Sequence, residues 1–399
     1  MKTLNGVGYQ HGTISAEPWY RAGRIISNAR IVHRPLPANI SLLPVFWQQI
    51  FNEIATQQES SICLLEGVDI EIDIDGVVWT SPTRFCLDHH EFSEKRVVEQ
   101  RLVHWPLLAE WFAHPRVAAR CFNTWLEQAV HGVKRENLPH NCRMLYFSDN
   151  RAQGNFYHWI VDSLSRLLVA EPWIKESYLL LSENQIRCKY ITDSLAILGF
   201  GRDRLIPLKK GVRYKSENIQ IITCSIFATG ACSSEGISLV KERLAVVNNK
   251  PEALLYLARK QNAGRAIANQ DEFINAIKYY GFKTIYAEDI EFENLVEILG
   301  KTKILIGVYG AAMTHAIFLP RNGHVIELAP NKFITQTPNY WGDKYASKYS
   351  GDYYYSLSVA SHLNYHLIPC SQKNKHIYAS NAEINVDIDM LTQTLSLIL

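Results

Sequence analysis

His158 and Asp162 stand four residues apart in the run NFYHWIVDSLSRL. The apolar spacing of that run predicts a helix, on which residues i and i+4 share a face. A carboxylate one turn from an imidazole orients the ring, and an oriented imidazole near neutral pH can act as a general base. A surface or capping pair has the same spacing, so the residues alone leave both readings open. Asn155 stands where an N-cap belongs, and Pro172 marks the end of the run. Gly154, Phe156 and Tyr157 suggest a helix start that faces a cleft.

Three cations form a second constellation. Arg259 and Lys260 directly follow the apolar run EALLYLA, and Arg265 comes after Asn262, Ala263 and Gly264. Ligands of open α/β sheets bind at the carboxyl ends of strands, and a guanidinium there can hold a phosphate with two hydrogen bonds. A solvated charged loop is the alternative. In GVYGAAMTHAIF, Gly307 and Gly310 bracket a passage from strand to helix. Small residues let a backbone approach a ligand, and the N–H groups that open a helix can receive a diphosphate. A tight turn within the core explains the same glycines, and the run matches neither the Walker A loop nor the dinucleotide fingerprint. Glu327, read as the end of the strand HVIEL, can accept hydrogen bonds from ribose hydroxyls or form a strand-end salt bridge. Two Asp-x-Asp triplets, Asp73/Asp75 and Asp387/Asp389, are the obvious places to look for Mg²⁺. Neither lies at a strand end of an αβ block, so both are read as solvated faces. His89-His90 and the other histidines show no metal-ligand spacing, and no metal is expected.

Alternating strands and helices are needed to position these residues. From Cys142, RMLYFS, SYLLLS, DRLIPL and NIQIIT read as short strands around the His158 helix and the helix CKYITDSLAILGF. From Pro251, EALLYLA, FKTIYA, KILIGV and HVIELAP alternate with DEFINAIKYYGF, EFENLVEILG and GAAMTHAIF, all read as helices. Such alternation makes parallel sheets covered on both faces. GVDIEIDIDGVVWTS reads as a hairpin turning at Asp75-Gly76, and HWPLLAEWFAHPRVAARCFNTWLEQAV as helical. The Gly- and Ser-rich CSIFATGACSSEG (Cys224–Gly236) suits a hinge, and DIDMLTQTLSLIL a closing helix. The expected organisation is an N-terminal α+β extension over 1–140, one doubly wound lobe over 141–235, a second over 236–345, and a closing segment over 346–399.

Composition excludes several classes. Lys and Arg number 41 against 39 Asp and Glu, a net charge of +2 that gives no field for nucleic acid. The longest apolar stretch, Ile304–Leu319, is too short to span a bilayer, and MKTLNGVGYQHGT has no apolar signal-peptide core. The eight cysteines are scattered without a CxxC pair, as expected for reduced thiols in a cytoplasmic protein.

NFYHWIVDSLSRL, LLYLARKQNAGRAIANQDEF and ILIGVYGAAMTHAIFLPRNGHVIELAP resemble, in this order, three motifs of glycosyltransferase family 61. The resemblance covers about Cys142 to Ile368. It implies a GT-B-like α/β architecture, two Rossmann-like lobes facing a cleft. It also implies an inverting, metal-independent transfer from a nucleotide-sugar donor to a saccharide acceptor. On that reading His158 is the base and Asp162 its orienting partner, or the reverse, with Asn155 and Tyr157 on the acceptor side. Arg259, Lys260, Arg265, Gly310, Ala311, Thr314, His315 and Glu327 would contact the donor. Bacterial members are tied to capsular or extracellular polysaccharide synthesis. With neither anchor nor signal read in the sequence, the expectation is a cytoplasmic enzyme, peripheral to the membrane machinery. One departure is plain: the family's usual G-x-H-G-A has Tyr309 in the histidine position. A tyrosine can donate one hydrogen bond but carries no positive charge, and a non-catalytic nucleotide- or glycan-binding subunit is the alternative reading. A dinucleotide-dependent oxidoreductase lacks its glycine fingerprint here.

Overall fold

The computed structural model describes residues 20–59, 61–67, 70–74, 77–81, 84–87, 100–101, 132, 134–139, 142–148, 152–222, 232–246, 250–260, 266–331, 335–336, 349–350, 352–373 and 383–399. The expected helix over His104–Val130, the pair His89-His90, Asp75 and Arg265 lie outside these residues. The chain divides into two compact units. The first comprises Met1–Arg30, Glu59–Ala228 and Thr337–Ala346, and the second Ile31–Gln58, Thr229–Gln336 and Ser347–Leu399.

Unit one holds a six-stranded sheet of β1 (Tyr20–Ser27), β2 (Ile62–Gly67), β3 (Met144–Tyr146), β4 (Tyr178–Ser182), β5 (Leu205–Leu208) and β6 (Ile219–Ile222). Its order is β1-β2-β6-β3-β4-β5. The last four strands in that order are parallel, and β1 and β2 extend the sheet antiparallel. Leu179, Leu180 and Leu181 are fully buried, as a parallel strand covered on both faces requires. Helix α1 (Lys189–Ile197) buries Ile191 and Leu195. A second sheet contains the expected hairpin, with Ile70–Ile72 antiparallel to Val77–Ser81.

Unit two holds β7 (Ala253–Leu257), β8 (Lys283–Ile285), β9 (Thr302–Val308), β10 (His324–Pro330), β11 (Asn364–Gln372) and β12 (Ile384–Asn385), in the order β8-β7-β9-β10-β11-β12. The first five in that order are parallel. Helices α2 (Ser234–Leu244), α3 (Gln270–Tyr279), α4 (Phe292–Gly300), α5 (Tyr353–Ala360) and α6 (Ile388–Ile398) belong to this unit. In α4 the buried Phe292, Leu295, Val296 and Leu299 recur at i, i+3, i+4 and i+7, the stripe that faces a core. Gly281, at φ 87, ends α3 in the left-handed conformation that glycine adopts at least cost. Asp387 caps α6 through Met390 N at 2.9 Å.

Three expectations about organisation are corrected. The described residues within 1–140 are shared between the units: β1 and β2 complete the first sheet, and Ile31–Gln58 joins the second unit. The buried Asn39 shows why, because its side chain donates to Leu367 O at 2.8 Å and accepts from Leu367 N at 3.1 Å, as a further strand would. The expected hinge over Cys224–Gly236 reaches into α2, since Ser233 caps that helix by accepting from Gly236 N at 3.1 Å. Asp73 is buried at 5% exposure and not solvated, and its charge bears on the buried Arg213. Among the described residues, no helix is long and apolar enough to cross a membrane.

Candidate functional site

In unit one the chain runs from β3 through a turn into the helical run that carries His158. The order in which the chain adds its parallel strands reverses between β3 and β6, the kind of switch point outside which ligands of α/β sheets bind. Asn155 Oδ1 accepts from Tyr157 N at 3.1 Å, the expected cap. Helix α1 supplies a clamp for this turn that the sequence did not reveal. Tyr190 OH donates to Ala152 O at 2.6 Å and accepts from Gly154 N at 3.0 Å. Gly154 has φ 80, which few other residues would tolerate. Burial pushes the Tyr190 phenol up to about 12, so it remains a donor at any physiological pH.

The helix departs from expectation. His158–Leu164 is a π-helix, in which Ser165 N bonds to Ile160 O, five residues back. The serines account for the widening: Ser163 Oγ donates to His158 O at 3.2 Å, and Ser165 Oγ donates to Val161 O. π-Turns inside helices occur often at functional sites. Here the turn leaves the pair intact, with His158 Nδ1 and Asp162 Oδ2 2.6 Å apart. The Asp162 side chain is 4% exposed and that of His158 19%. An ionised carboxylate only accepts, so Nδ1 carries the proton and Nε2 presents its lone pair. The Tyr157 ring meets the imidazole edge-on at 5.7 Å, and Trp159 Nε1 anchors the run to Ser194 Oγ at 2.9 Å. Arg166, fully buried, donates to Ile222 O at 3.0 Å at the end of β6. It ties the helix to the switch-point strand, a role its sequence context did not announce.

In unit two the strand order reverses between β7 and β9, and Arg259, Lys260, Gly307 and Gly310 lie at the carboxyl ends of those two strands. Arg259, half-buried, donates from Nη1 to Tyr309 O at 3.3 Å, which brings the cation to the turn after β9. Lys260 is exposed and pairs with Asp289. Gly310 has φ 154 and ψ 167, a conformation essentially confined to glycine. Ala311–Phe318 follows as a helix, of the 3₁₀ type. It is drawn tight by Met313 N, which bonds to Gly310 O at 2.7 Å, while Met313 fills the space at Gly307. A Cβ on Gly307 would lie 2.2 Å from Met313 Sδ, so that glycine admits a side chain of its own chain and not a ligand. The N–H groups of Ala311 and Ala312 open the helix without a preceding turn to bond to, and both residues are partly exposed.

The remaining candidates are internal. Thr314 is fully buried, and Oγ1 has no hydrogen-bond partner among the described residues. His315 is buried, and Nδ1 faces Ala312 O at 2.8 Å. Burial lowers this imidazole to about 4, so it is neutral and Nδ1–H is the donor. Glu327 is not at a strand end: β10 continues to Pro330 because Leu328 and Pro330 pair with Ile368 and Cys370 of β11. Its carboxylate is 1% exposed and accepts from Tyr365 OH at 2.6 Å. Tyr309, in place of the family's histidine, packs its ring edge-on against Tyr354 at 5.5 Å. Among the described residues, no group of three or more His, Cys, Asp or Glu could hold a metal ion.

Residues 156–326 match the model of the family Glycosyltransferase 61. That span holds the His158–Asp162 pair, Arg259 and Gly310. A stretch of 123 residues is 28% identical to the EGF domain-specific O-linked N-acetylglucosamine transferase of Drosophila melanogaster, covering 28% of this chain and 23% of that protein. A stretch of 82 residues is 35% identical to the protein O-linked-mannose beta-1,4-N-acetylglucosaminyltransferase 2 of Canis lupus familiaris, covering 20% and 14%. The EGF domain-specific enzyme of Mus musculus is 38% identical over 69 residues, 16% and 13% of the two chains. The chain thus spans less than a quarter of the length of these curated relatives.

Proposed function

We propose that this chain is a glycosyltransferase that moves a sugar from a nucleotide sugar to a saccharide hydroxyl, with inversion, without a metal, and on a GT-B-like pair of lobes. The observation that carries the reading is the His158–Asp162 pair at a switch point, inside the segment that matches Glycosyltransferase 61. His158 Nε2 takes the proton of the acceptor hydroxyl as its oxygen attacks the anomeric carbon. Asp162 holds the ring through Nδ1 and stabilises the imidazolium that forms. The bond to the nucleotide diphosphate breaks on the opposite face of the sugar, which inverts the centre. Arg259 and the N–H groups of Ala311 and Ala312 take up the charge of the departing diphosphate, with Lys260 and Arg265 following Arg259 in the sequence. Glu327, closed off by Tyr365, supports the sheet and not the ribose. The names of the relatives make N-acetylglucosamine the first donor sugar to test. The family resemblance of the three motifs supports a place in capsular or extracellular polysaccharide synthesis.

His158→Ala and Asp162→Asn should each lower turnover by about 10²–10⁴-fold while nucleotide-diphosphate affinity stays within a few-fold of wild type. The double variant should be little worse than the worse single one, because the two groups act as a unit. Turnover near wild type in both single variants would overturn the assignment. Activity should also survive exhaustive EDTA treatment, and complete loss restored by Mg²⁺ would place a metal in the mechanism. Tyr309 favours one second reading, a non-catalytic nucleotide- or glycan-binding subunit. Slow release of free sugar from the donor without acceptor separates the two, since a binding subunit releases none.

A further inference from the structure

The sheet of unit two has a second set of cations at its other edge. Arg259 and Tyr309 follow the last residues of β7 and β9, whereas Arg321 and His362 precede the first residues of β10 and β11. The strands are parallel, so these groups lie at opposite ends of the sheet, about 20 Å apart along a seven-residue strand. Lys241, on α2, reaches the same edge: its Nζ donates to Ser361 O at 2.8 Å. Lys241 is half-buried, and Arg321 and His362 are exposed.

Three features set this cluster apart. Its charges are of one sign. The charge that bears on Lys241 is that of Arg321, and the charges that bear on His362 are those of Arg321 and Lys241. Burial and Arg321 lower the Lys241 ammonium to about 8, while burial, Arg321 and Lys241 lower the His362 imidazole. Ser361, whose carbonyl receives Lys241, is fully buried, and its hydroxyl has no hydrogen-bond partner among the described residues. The backbone is also held in an unusual shape. Asn322 at φ 64 and His362 at φ 56 are the non-glycine residues with left-handed backbones among the described residues, and Asn322 N donates to His362 O at 2.9 Å. Asn364 Nδ2 adds a bond to Asn322 O at 2.8 Å. Two turns with disfavoured backbones are thus stitched together, and they carry Arg321 and His362 beside Lys241. Like charges at short range repel, and an oxyanion that accepts from all of them removes that repulsion.

We propose that Lys241, Arg321 and His362 form a second anion site that takes a phosphate group, at the sheet edge opposite the donor residues. The Lys241 ammonium and the Arg321 guanidinium supply charge, and the neutral His362 imidazole supplies an N–H donor. This chemistry suits a free phosphate or diphosphate, and equally the phosphate of an anionic lipid headgroup. The site does not depend on the transferase reading.

Calorimetric titration of inorganic pyrophosphate into the full chain bearing Arg259→Ala removes the principal guanidinium of the donor site from the measurement. Binding should persist in that variant and weaken at least tenfold when Arg321→Gln or Lys241→Met is added. Arg321 is exposed, so Arg321→Gln gives a test free of folding effects. Co-sedimentation with phosphatidylglycerol against phosphatidylcholine vesicles identifies the source. Retention on phosphatidylglycerol alone, lost in Arg321→Gln, assigns a lipid phosphate, and pyrophosphate binding without retention assigns a soluble one. Pyrophosphate binding indifferent to both substitutions, or no binding of either probe to the Arg259→Ala chain, would overturn the proposal.

Discussion

On the proposed reading, Arg259 serves a ligand and the backbone together. Its Nη1 bond to Tyr309 O ties the end of β7 to the turn that opens the Ala311 helix. Arg259→Ala should therefore weaken nucleoside-diphosphate binding about 10–100-fold, the span of a charge-assisted contact, while nucleoside binding changes little. Arg259→Lys should restore only part of the loss, because an ammonium is a point charge that cannot hold two oxygens in one plane. Isothermal titration of both ligands distinguishes this from a structural role, in which both affinities fall together. The Arg259 position was legible because a cation right after an apolar run marks a strand end. Its contact with Tyr309 was not, since the residues are fifty apart in sequence and meet only through strand pairing.

At the scale of elements, the two site turns are built differently. The Gly310 turn owes its shape to its own backbone, and the glycine was visible in the sequence. The turn before His158 owes its shape to another helix, through the two bonds of Tyr190 OH. Tyr190→Phe removes both bonds while keeping the ring against Phe156, which it meets edge-on at 5.5 Å. The variant should lose about 1–2 kcal/mol of stability and lower turnover more than it changes nucleotide affinity. A stability loss with unchanged turnover would confine Tyr190 to the fold. The π-turn is the clearest case in which pattern failed. The apolar period of NFYHWIVDSLSRL reads as an α-helix, and only the bonds from Ser163 and Ser165 to backbone carbonyls widen it. The His158–Asp162 contact survives because residues four apart remain neighbours in either helix.

Across the whole chain, unit two stores an acid sensitivity. Burial holds His315 down to about 4 and His366 down to about 3, and it also lowers His324. His324 Nδ1 and His366 Nε2 lie 3.0 Å apart, and His366 Nδ1 is buried with no hydrogen-bond partner among the described residues. A bare lone pair there costs less than an orphaned N–H, so His366 carries its proton on Nε2 and donates to His324. As the pH falls below the ordinary histidine value of about 6.5, the unfolded chain takes up protons that the folded chain refuses. The stability of unit two is therefore whole near neutral pH and falls progressively toward pH 4. His366→Gln and His315→Gln should each flatten that fall in denaturant titrations run from pH 7 to pH 4. Parallel curves for variant and wild type would show that other groups set the acid limb.

The sequence by itself determined the α/β class, the alternation of strands and helices after Cys142, the His158–Asp162 pair, the cation after β7 and the glycine before the Ala311 helix. These are local facts, set by period, by caps and by spacing within one or two turns. Tertiary structure decided the rest. It placed β1 and β2 in the first sheet and Ile31–Gln58 in the second unit, because edge hydrogen bonds such as those of Asn39 depend on partners hundreds of residues away. It turned Glu327 from a strand-end carboxylate into the buried acceptor of Tyr365, and Gly307 into a seat for Met313. It also gathered Lys241, Arg321 and His362 at one sheet edge. The physical reason is common to all of these. A side chain's role follows from what surrounds it, and those neighbours are chosen by register and packing between segments that the linear order keeps apart.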